Sequence, residues 1–141
     1  MKYVSRFHGS RVGGFSLIEM LAVIALIGLI ASVVAPNVLG KLAGGKFKAT
    51  RAKVAATSSK VELYVLDVGS LPERMEDLVS KPGNAENWNG PYAKESDLKD
   101  AWEMPFVLTV PGAHGEFDLV SLGADKQPGG EGNNKDIGNW E

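Results

Sequence analysis

Residues 13–36, GGFSLIEMLAVIALIGLIASVVAP, decide the fold of this chain. From Phe15 to Ala35 the run is apolar apart from a few small polar residues, and its single charged side chain is that of Glu19. As an α-helix, the run is about 30 Å long, which matches the hydrocarbon thickness of a bilayer. A charge in hydrocarbon costs roughly 2.5–3.5 kcal/mol on insertion scales. The sequence therefore predicts a membrane-spanning helix in which Glu19 needs a partner.

A basic leader precedes the apolar run. It carries two arginines and a lysine within residues 1–14 and no acidic residue. A basic start before an apolar segment is also typical of a secretory signal peptide, whose apolar region is usually about 7–15 residues long. This run is longer, it contains Glu19, and Pro36 would follow a cut at Ala35. We therefore favour a retained helix, although charge alone does not orient it, since basic residues follow the run as well.

Length, charge and cysteine content exclude several classes of protein. The chain has 141 residues, a net charge of -2 and no cysteine. It is long enough for one domain with an appendage. It cannot form disulfides or a thiolate metal site, and its charge gives no support for binding nucleic acid. A small extracytoplasmic domain without disulfides needs another source of stability, such as a metal ion or assembly with neighbours.

The helix is predicted to continue from Phe15 to about Asp67, with weak points at Pro36 and at Gly44–Gly45. Beyond Gly40, apolar and small residues recur at spacings of three, four and seven, which is typical of a helix with one buried face. Charged residues, among them Lys53 and Lys60, fall mainly off this face and are expected to be solvated. The expected buried positions are Phe47, Val54, Ser58, Val61, Val65 and Val68.

The second half of the chain has the pattern of a small sheet. Residues 72–80 predict a short helix that starts at Pro72, and a loop follows over 81–92. The segments 104–110 and 116–122 are strand-like and are joined by PGAHG, which predicts a hairpin. The tail from residue 123 is dominated by Gly, Asn and Asp. The large aromatic residues Trp88, Tyr92, Trp102 and Trp140 are interpreted as packing groups.

The segment GFSLIEM, residues 14–20, resembles the processing site of type IV pilins and pseudopilins. The resemblance implies that a prepilin peptidase cleaves after Gly14 and that the new amino terminus at Phe15 is N-methylated. It makes Glu19 the signature acid at the fifth position of the mature chain. It also implies that the leader is cytoplasmic and that residues from about 37 onward are periplasmic.

This resemblance offers a partner for Glu19. Cleavage creates an ammonium group at Phe15, about one helical turn away. In a polymer, the amine of an incoming subunit can pair with Glu19 of its neighbour, and removal of either charge leaves the other uncompensated in a low dielectric. The alternative is a glutamate that reaches the interface or stays protonated.

Three later segments, NWNGPY, DAWEMPFVLTVPGAHGEFDLVSLGAD and PGGEGNNKDIGNW, resemble the major pseudopilins of type II secretion systems. The resemblance implies that the C-terminal loop binds Ca²⁺ through the carboxylates of Asp125 and Asp136 and the carbonyl of Leu122. Calcium takes 6–8 oxygen ligands in flexible geometry, so a glycine-rich loop with two acids is suitable. The residues alone favour simple Asx-turns, because loops of Gly, Asn and Asp are common, and it is the resemblance that favours calcium.

The sequence departs from the pattern of these pseudopilins at two places. Lys126 follows Asp125 where glycine is usual, and Lys135 precedes Asp136, so two ammonium groups flank the expected site. In addition, Asp100-Ala101-Trp102-Glu103 replaces the usual Asp-Pro-Trp-Gly. We expect these changes to alter the turns and to weaken cation binding unless the lysines point to solvent.

The expected protein is an α+β chain of the pilin type, with a long N-terminal α-helix packed on a small antiparallel sheet. Its parts are a leader (1–14), a transmembrane and polymerisation helix (15–36) and a periplasmic domain (37–141). We expect a structural subunit of the type II secretion pseudopilus, which drives export of folded proteins across the outer membrane. The alternative is a type IV pilin for adhesion, motility or DNA uptake.

The expected partners follow from this role. They are other copies of the chain, minor pseudopilins, the prepilin peptidase and an inner-membrane assembly platform, with no nucleic acid. The expected location is the inner membrane, spanned once. We expect no enzymatic activity, because no catalytic constellation is recognisable; His114, for example, has no Cys or second His near it in the sequence.

Overall fold

A single helix, α1 (Leu17–Val68), dominates the computed structural model, which describes residues 14–141. The predicted helix from Phe15 to about Asp67 is confirmed. It continues through Pro36 and Gly44–Gly45 without interruption, so neither predicted weak point breaks it. Near the proline, the Asn37 side-chain amide donates to the carbonyl of Val33 at 3.1 Å. The leader, apart from Gly14, lies outside the described residues.

The chain divides into two compact units, the first ending at Leu39 and the second running from Gly40 to Glu141. In the first unit α1 is long and apolar enough to cross a membrane, and its apolar side chains are exposed. The second unit contains the remainder of α1, the sheet and every buried apolar side chain of the described chain. The hydrophobic core therefore belongs entirely to residues 40–141.

The sheet has three antiparallel strands, β1 (Val107–Thr109), β2 (Asp118–Ser121) and β3 (Ile137–Gly138), in that order. The predicted hairpin is β1–β2, with Leu108 opposite Leu119, although both strands are shorter than expected. The sequence reading missed β3, which lies within the predicted loop of the tail. It pairs with β2 through Ser121 opposite Ile137 and Val120 opposite Gly138.

The buried face of α1 packs against the segments that follow it. Val54, Ser58 and Val61 are buried as predicted, whereas Phe47, Val65 and Val68 are half-buried. The predicted helix over 72–80 is only one 3-10 turn, Met75–Leu78. Its Leu78 is fully buried, and the carbonyl of Leu78 accepts the backbone N–H groups of Tyr92 and Ala93. Further core residues are Tyr64, Met75, Leu98, Phe106, Leu119 and Ile137.

A polar seam on α1 holds the segment 97–101, and it corrects the expectation that Lys53 and Lys60 are merely solvated. Lys60 forms an ion pair with Asp97 at 2.6 Å, and Lys53 donates to the carbonyl of Lys99 at 2.9 Å. Two threonines at the same helical spacing complete the seam: the Thr57 hydroxyl donates to the carbonyl of Asp97, and the Thr50 hydroxyl accepts the N–H of Ala101. Hydropathy alone could not find it, because this face is buried through polar contacts.

Candidate functional sites

The start of α1 is closed by a reciprocal pair of hydrogen bonds between Ser16 and Glu19. The Ser16 N–H donates to Glu19 Oε2 at 2.7 Å, and the Glu19 N–H donates to the Ser16 hydroxyl oxygen at 3.2 Å. This is a capping box, in which a serine and a glutamate three residues later satisfy helix N–H groups that otherwise lack acceptors. An acidic group is also favourable at this end of the helix macrodipole.

Glu19 therefore has a partner within its own chain, which the sequence reading did not identify although the S-x-x-E pattern was visible. Its capping bond uses Oε2, and Oε1 makes no hydrogen bond in the described chain. Gly14 and Phe15, the expected cleavage and methylation positions, precede the helix and are exposed. The three predicted N-terminal site residues thus lie together at one accessible helix end.

The C-terminal loop from Leu122 to Asp136 contains the predicted calcium ligands. Asp125 is exposed and its Oδ1 accepts the N–H of Gln127 at 3.2 Å, which is an Asx-turn. Asp136 is half-buried, and its Oδ2 accepts the N–H of Gly129 at 2.8 Å. The two carboxylates share no hydrogen-bond partner within residues 14–141, so the loop's own contacts do not join them.

One oxygen of Asp136 distinguishes this loop from a set of ordinary turns. Asp136 Oδ1 is buried and makes no hydrogen bond within the described chain. A buried polar atom without a partner costs about 1–3 kcal/mol, and more when it is charged. Residues 14–141 contain no group of three or more His, Cys, Asp or Glu side chains that could hold a metal. The oxygen donors of this loop are the carboxylates of Asp125 and Asp136 and its backbone carbonyls, which are the type of ligand that calcium takes.

The two lysines beside the loop differ in their surroundings. Lys135 forms an ion pair with the side chain of Glu141 at 2.6 Å, so its charge is compensated by a carboxylate other than that of Asp136. Lys126 is exposed and adopts a left-handed backbone conformation with φ of 64°. Close backbone packing shapes the rest of the loop, since a Cβ on Gly130 would lie 2.5 Å from the carbonyl oxygen of Asn134.

A network of buried hydrogen bonds connects this loop to the turn at 100–104. Asp100 is 1% exposed, and its Oδ2 accepts the Ser121 hydroxyl at 2.6 Å. Its Oδ1 accepts the N–H groups of Trp102 and Met104. The Ser121 oxygen in turn accepts the N–H of Gly123 at 3.3 Å, where the loop begins. Sequence reasoning placed Asp100 in an altered turn and did not find this role.

His114 belongs to a second cluster that was missed. Its Nδ1 lies 3.0 Å from Asp118 Oδ2, and its ring stacks on Trp140 with centroids 3.8 Å apart. Burial opposes ionisation of Asp118, but hydrogen bonds from the His114 ring and from the N–H groups of Ala113 and His114 outweigh it and lower its pKa. The cluster fixes the C-terminal residues against the hairpin.

Two family models match successive parts of the chain. Residues 9–35 match the prokaryotic N-terminal methylation motif, and residues 37–140 match the family described as type II secretion system (T2SS), protein G. The first contains Gly14, Phe15 and Glu19, and the second contains the whole sheet and the C-terminal loop.

Similar proteins come from several bacteria. The type II secretion system core protein G of Xanthomonas campestris is 42% identical over 130 residues, which cover 91% of each chain. That of Pseudomonas aeruginosa is 38% identical over 135 residues, covering 91% of this chain and 94% of the relative. The crystal structure of the major pseudopilin from the type 2 secretion system of enterohaemorrhagic Escherichia coli matches with a TM-score of 0.60 and 28% identity. It covers 74% of this chain and 95% of that chain.

Proposed function

The chain belongs to the type II secretion system protein G family, and on that premise we propose that it is the major structural subunit of a pseudopilus. The observation that carries the proposal is that two models together account for almost the whole chain, a methylation motif over 9–35 and the protein G family over 37–140. The alternative of a type IV pilin is less well supported, because the curated relatives are secretion-system proteins.

The proposed cycle begins at the amino terminus. A prepilin peptidase cleaves after Gly14 and Phe15 is N-methylated. The apolar part of α1 anchors the chain once in the inner membrane, with the unit from residue 40 in the periplasm. Copies then assemble with minor pseudopilins on an inner-membrane platform, and growth of the fibre moves folded proteins toward the outer membrane.

The described geometry supports a defined role for Glu19 in assembly. Oε2 is occupied by the cap on Ser16, and Oε1 is available to the Phe15 ammonium group of a neighbouring subunit. In this arrangement one carboxylate both closes its own helix and sets the axial register of the next subunit. Because the amine exists only after cleavage, processing would control when subunits pair.

The test of processing is mass spectrometry of the amino-terminal peptide from membranes that contain a prepilin peptidase. We expect a chain that starts at Phe15 and is heavier by one methyl group. A Gly14→Ala variant that keeps its leader is the control. An unmethylated chain that starts at Met1 in the presence of the peptidase would contradict the proposal.

We further propose that the loop from Leu122 to Asp136 binds Ca²⁺. The support is the buried, unpartnered Oδ1 of Asp136, the position of Asp125 in the same glycine-rich loop, and the pairing of Lys135 with Glu141. Bound calcium would fix the loop beside β3. Binding only to the folded state stabilises it by about 2.7 kcal/mol at a hundredfold excess over Kd.

Thermal melting of residues 40–141 tests the calcium proposal, with calcium and then with excess chelator. We expect calcium to raise the Tm by several degrees, and Asp125→Ala or Asp136→Asn to abolish the rise. Glu131→Gln, an exposed acid of the same loop with no assigned ligand role, is the matched control. Identical melts of the unaltered chain with and without calcium would show that turns alone hold the loop.

A further inference from the structure

Charge is distributed unevenly along the folded unit. Residues 40–61 contain six basic residues and no acidic residue, whereas residues 62–141 contain six basic residues and sixteen acidic ones. The part of α1 that follows the apolar run is therefore strongly basic, and the remainder of the unit is acidic. A surface that carries one sign of charge attracts a partner of the opposite sign, so the basic part of α1 is expected to have an anionic partner.

Most of these basic side chains are not used by the fold. Lys53 and Lys60 belong to the polar seam, where they bind the segment 97–101. The other four are exposed, and none of them forms an ion pair within residues 14–141. These four, which we call the basic cluster, are Lys41, Lys46, Lys48 and Arg51.

The helix itself offers the basic cluster no counter-charge. Side chains three or four residues apart are neighbours on a helix, and residues 20–61 contain no acidic residue. Lys41, Lys48 and Arg51 follow one another at spacings of seven and three, so they lie on one side of α1. Several cations on one side of a helix suit a surface with many anionic groups better than they suit a single carboxylate.

The basic cluster overlaps the end of the exposed apolar surface of α1. Leu39 is 64% exposed and Leu42 is 60% exposed, and Lys41 lies between them in the sequence. A lysine at the end of an apolar span keeps its alkyl stem among apolar groups and extends its ammonium group to the polar interface. Cationic and apolar groups side by side match a phospholipid, which carries a phosphate above its acyl chains.

Distances along α1 place the first members of the cluster near lipid headgroups. At 1.5 Å per residue, Lys41 lies about 9 Å beyond Ala35, Lys48 about 20 Å and Arg51 about 24 Å. The headgroup region is about 5–8 Å thick on each side of a bilayer. The attraction of an anionic surface then falls off over a Debye length of about 8 Å at physiological salt. The contribution of each cation is therefore expected to decrease from Lys41 to Arg51.

We propose that the basic cluster binds the headgroups of anionic phospholipids in the membrane that α1 spans. The inference rests on the proposed function in one respect, because it takes the apolar part of α1 as a membrane anchor. The lipid phosphates supply the counter-charge that the chain does not. The same anionic surface repels the acidic residues 62–141, so attraction and repulsion together hold that part of the chain away from the membrane.

The apolar flank of the cluster favours a lipid over an acidic protein as the partner. An acidic protein surface in water could neutralise the four cations, but it would leave Leu39 and Leu42 uncovered. A phospholipid covers the leucines with its acyl chains and meets the cations with its phosphate.

Native mass spectrometry of the full chain in detergent tests the proposal. The chain is titrated with phosphatidylglycerol, which is anionic, and separately with phosphatidylcholine of the same acyl chains, which has no net charge. We expect phosphatidylglycerol to bind more tightly. The triple variant Lys41→Gln/Lys46→Gln/Lys48→Gln should bind phosphatidylglycerol about fivefold more weakly or less tightly still, and its affinity for phosphatidylcholine should not change.

The matched control removes the same charge from the acidic part of the chain. Lys81→Gln/Lys94→Gln/Lys99→Gln replaces three lysines that are also exposed, and it should bind both lipids as the unaltered chain does. The basic leader is present in every variant and contributes equally to each. All the substituted side chains are exposed, so the Tm of both triple variants in detergent should equal that of the unaltered chain.

Two further measurements identify the site and the ligand. Lys41→Gln alone should weaken phosphatidylglycerol binding more than Arg51→Gln alone, because Lys41 is closer to the headgroups. Inorganic phosphate in excess should displace the lipid no better than sodium chloride of the same ionic strength. Displacement by phosphate alone would make the cluster a general anion site and would overturn the assignment to lipid.

The outcomes separate this inference from the proposed function. Equal affinities for the two lipids, or a preference for phosphatidylglycerol that the first triple variant retains, would refute the inference while the function stands. If the chain prefers phosphatidylglycerol through the cluster but forms no fibre with the secretion components present, the function fails and the inference stands. A chain that is absent from the membrane fraction would contradict both.

Discussion

Two residues other than glycine, Glu103 and Lys126, hold left-handed backbone conformations, with φ of 62° and 64°. For L-residues this region is unfavourable by roughly 1–2 kcal/mol, because Cβ approaches the backbone. Both stand where the resembling pseudopilins usually have glycine. Each of the two turns therefore carries local backbone strain.

Replacing either residue with glycine should stabilise the protein. Glycine removes the clash but gains more freedom in the unfolded chain, so the net gain in the free energy of unfolding is about 0.5–1 kcal/mol for each of Glu103→Gly and Lys126→Gly. Urea unfolding of residues 40–141 measures it. Lys99→Gly is the control, since Lys99 is exposed with φ of -123°, and it should destabilise. A loss of stability in both test variants would refute the strain argument.

The capping role of Glu19 and its proposed pairing role can be separated by a conservative substitution. Glutamine also serves in a capping box, so Glu19→Gln keeps the hydrogen bond to Ser16 and loses only the charge. We expect both Glu19→Gln and Glu19→Ala to insert in the membrane and to impair fibre assembly. The measurement is the sheared-fibre yield normalised to membrane-bound chain. Normal fibres from Glu19→Gln would leave the carboxylate with the capping role alone.

At the scale of elements, periodicity decided what the sequence could predict. α1 was predictable because a long apolar run is followed, beyond Gly40, by apolar and small residues at helical spacing. The β1–β2 hairpin was predictable because two apolar runs flank a glycine-rich turn. β3 was not predictable, because it has only two residues and one is Gly138, whose missing Cβ admits the Trp140 ring. The polar seam of α1 could not be predicted from the sequence. Lys53 and Lys60 make polar contacts with the segment 97–101, but the hydropathy pattern marks both residues as solvated.

The candidate sites divide in the same way. The N-terminal site could be predicted from its motif, because all its residues are adjacent in the chain. The buried hydrogen bond between Ser121 and Asp100 could not be predicted from the sequence, since it joins residues that are 21 positions apart. The position of Lys135 also needed the structure, because only the fold brings Glu141 to its ammonium group.

The polar seam makes stability depend on pH in the acid range. The hydrogen bond from Lys60, with a further bond from the Lys94 N–H, lowers the pKa of Asp97. A carboxyl whose pKa is lower in the folded state contributes stability above its unfolded pKa of about 3.9, and this is lost as pH falls through the folded value. We expect Lys60→Met to have a lower free energy of unfolding than the unaltered chain at pH 7. Between about pH 5 and pH 2, its free energy of unfolding should fall less than that of the unaltered chain.

Urea midpoints for Lys60→Met and for the unaltered chain, measured at pH 7 and pH 3, test this expectation. The difference in urea midpoint between the two proteins should be smaller at pH 3 than at pH 7. Lys81→Met, which removes an exposed lysine elsewhere, controls for net charge. A difference that stays constant across this range would mean that Lys60 does not stabilise the fold through the ionised form of Asp97.

At the scale of the whole molecule, the two compact units differ in what they bury. The apolar part of α1 up to Leu39 contributes no buried apolar side chain, whereas Phe47 packs against the core and the Thr50 hydroxyl accepts the N–H of Ala101. A chain that begins at Gly40 should consequently fold on its own, and one that begins at Lys53 should be weakened. This boundary lies within an unbroken helix, so no turn or linker marks it.

We expect the Tm of the folded unit to fall at a defined point as α1 is shortened. Residues 40–141 should melt as the same unit does in the full chain in detergent. Residues 53–141 lack Phe47 and the hydrogen bond from Ala101 to Thr50. Loss of the hydrogen bond alone costs about 1 kcal/mol, which corresponds to a Tm about 4–8 °C lower, and loss of Phe47 should lower the Tm further. Thr50→Val in the longer fragment isolates the hydrogen bond and should account for part of the drop. Equal melting of the two fragments would show that the fold does not depend on α1 before residue 53, and that its anchoring and packing parts divide farther along the helix.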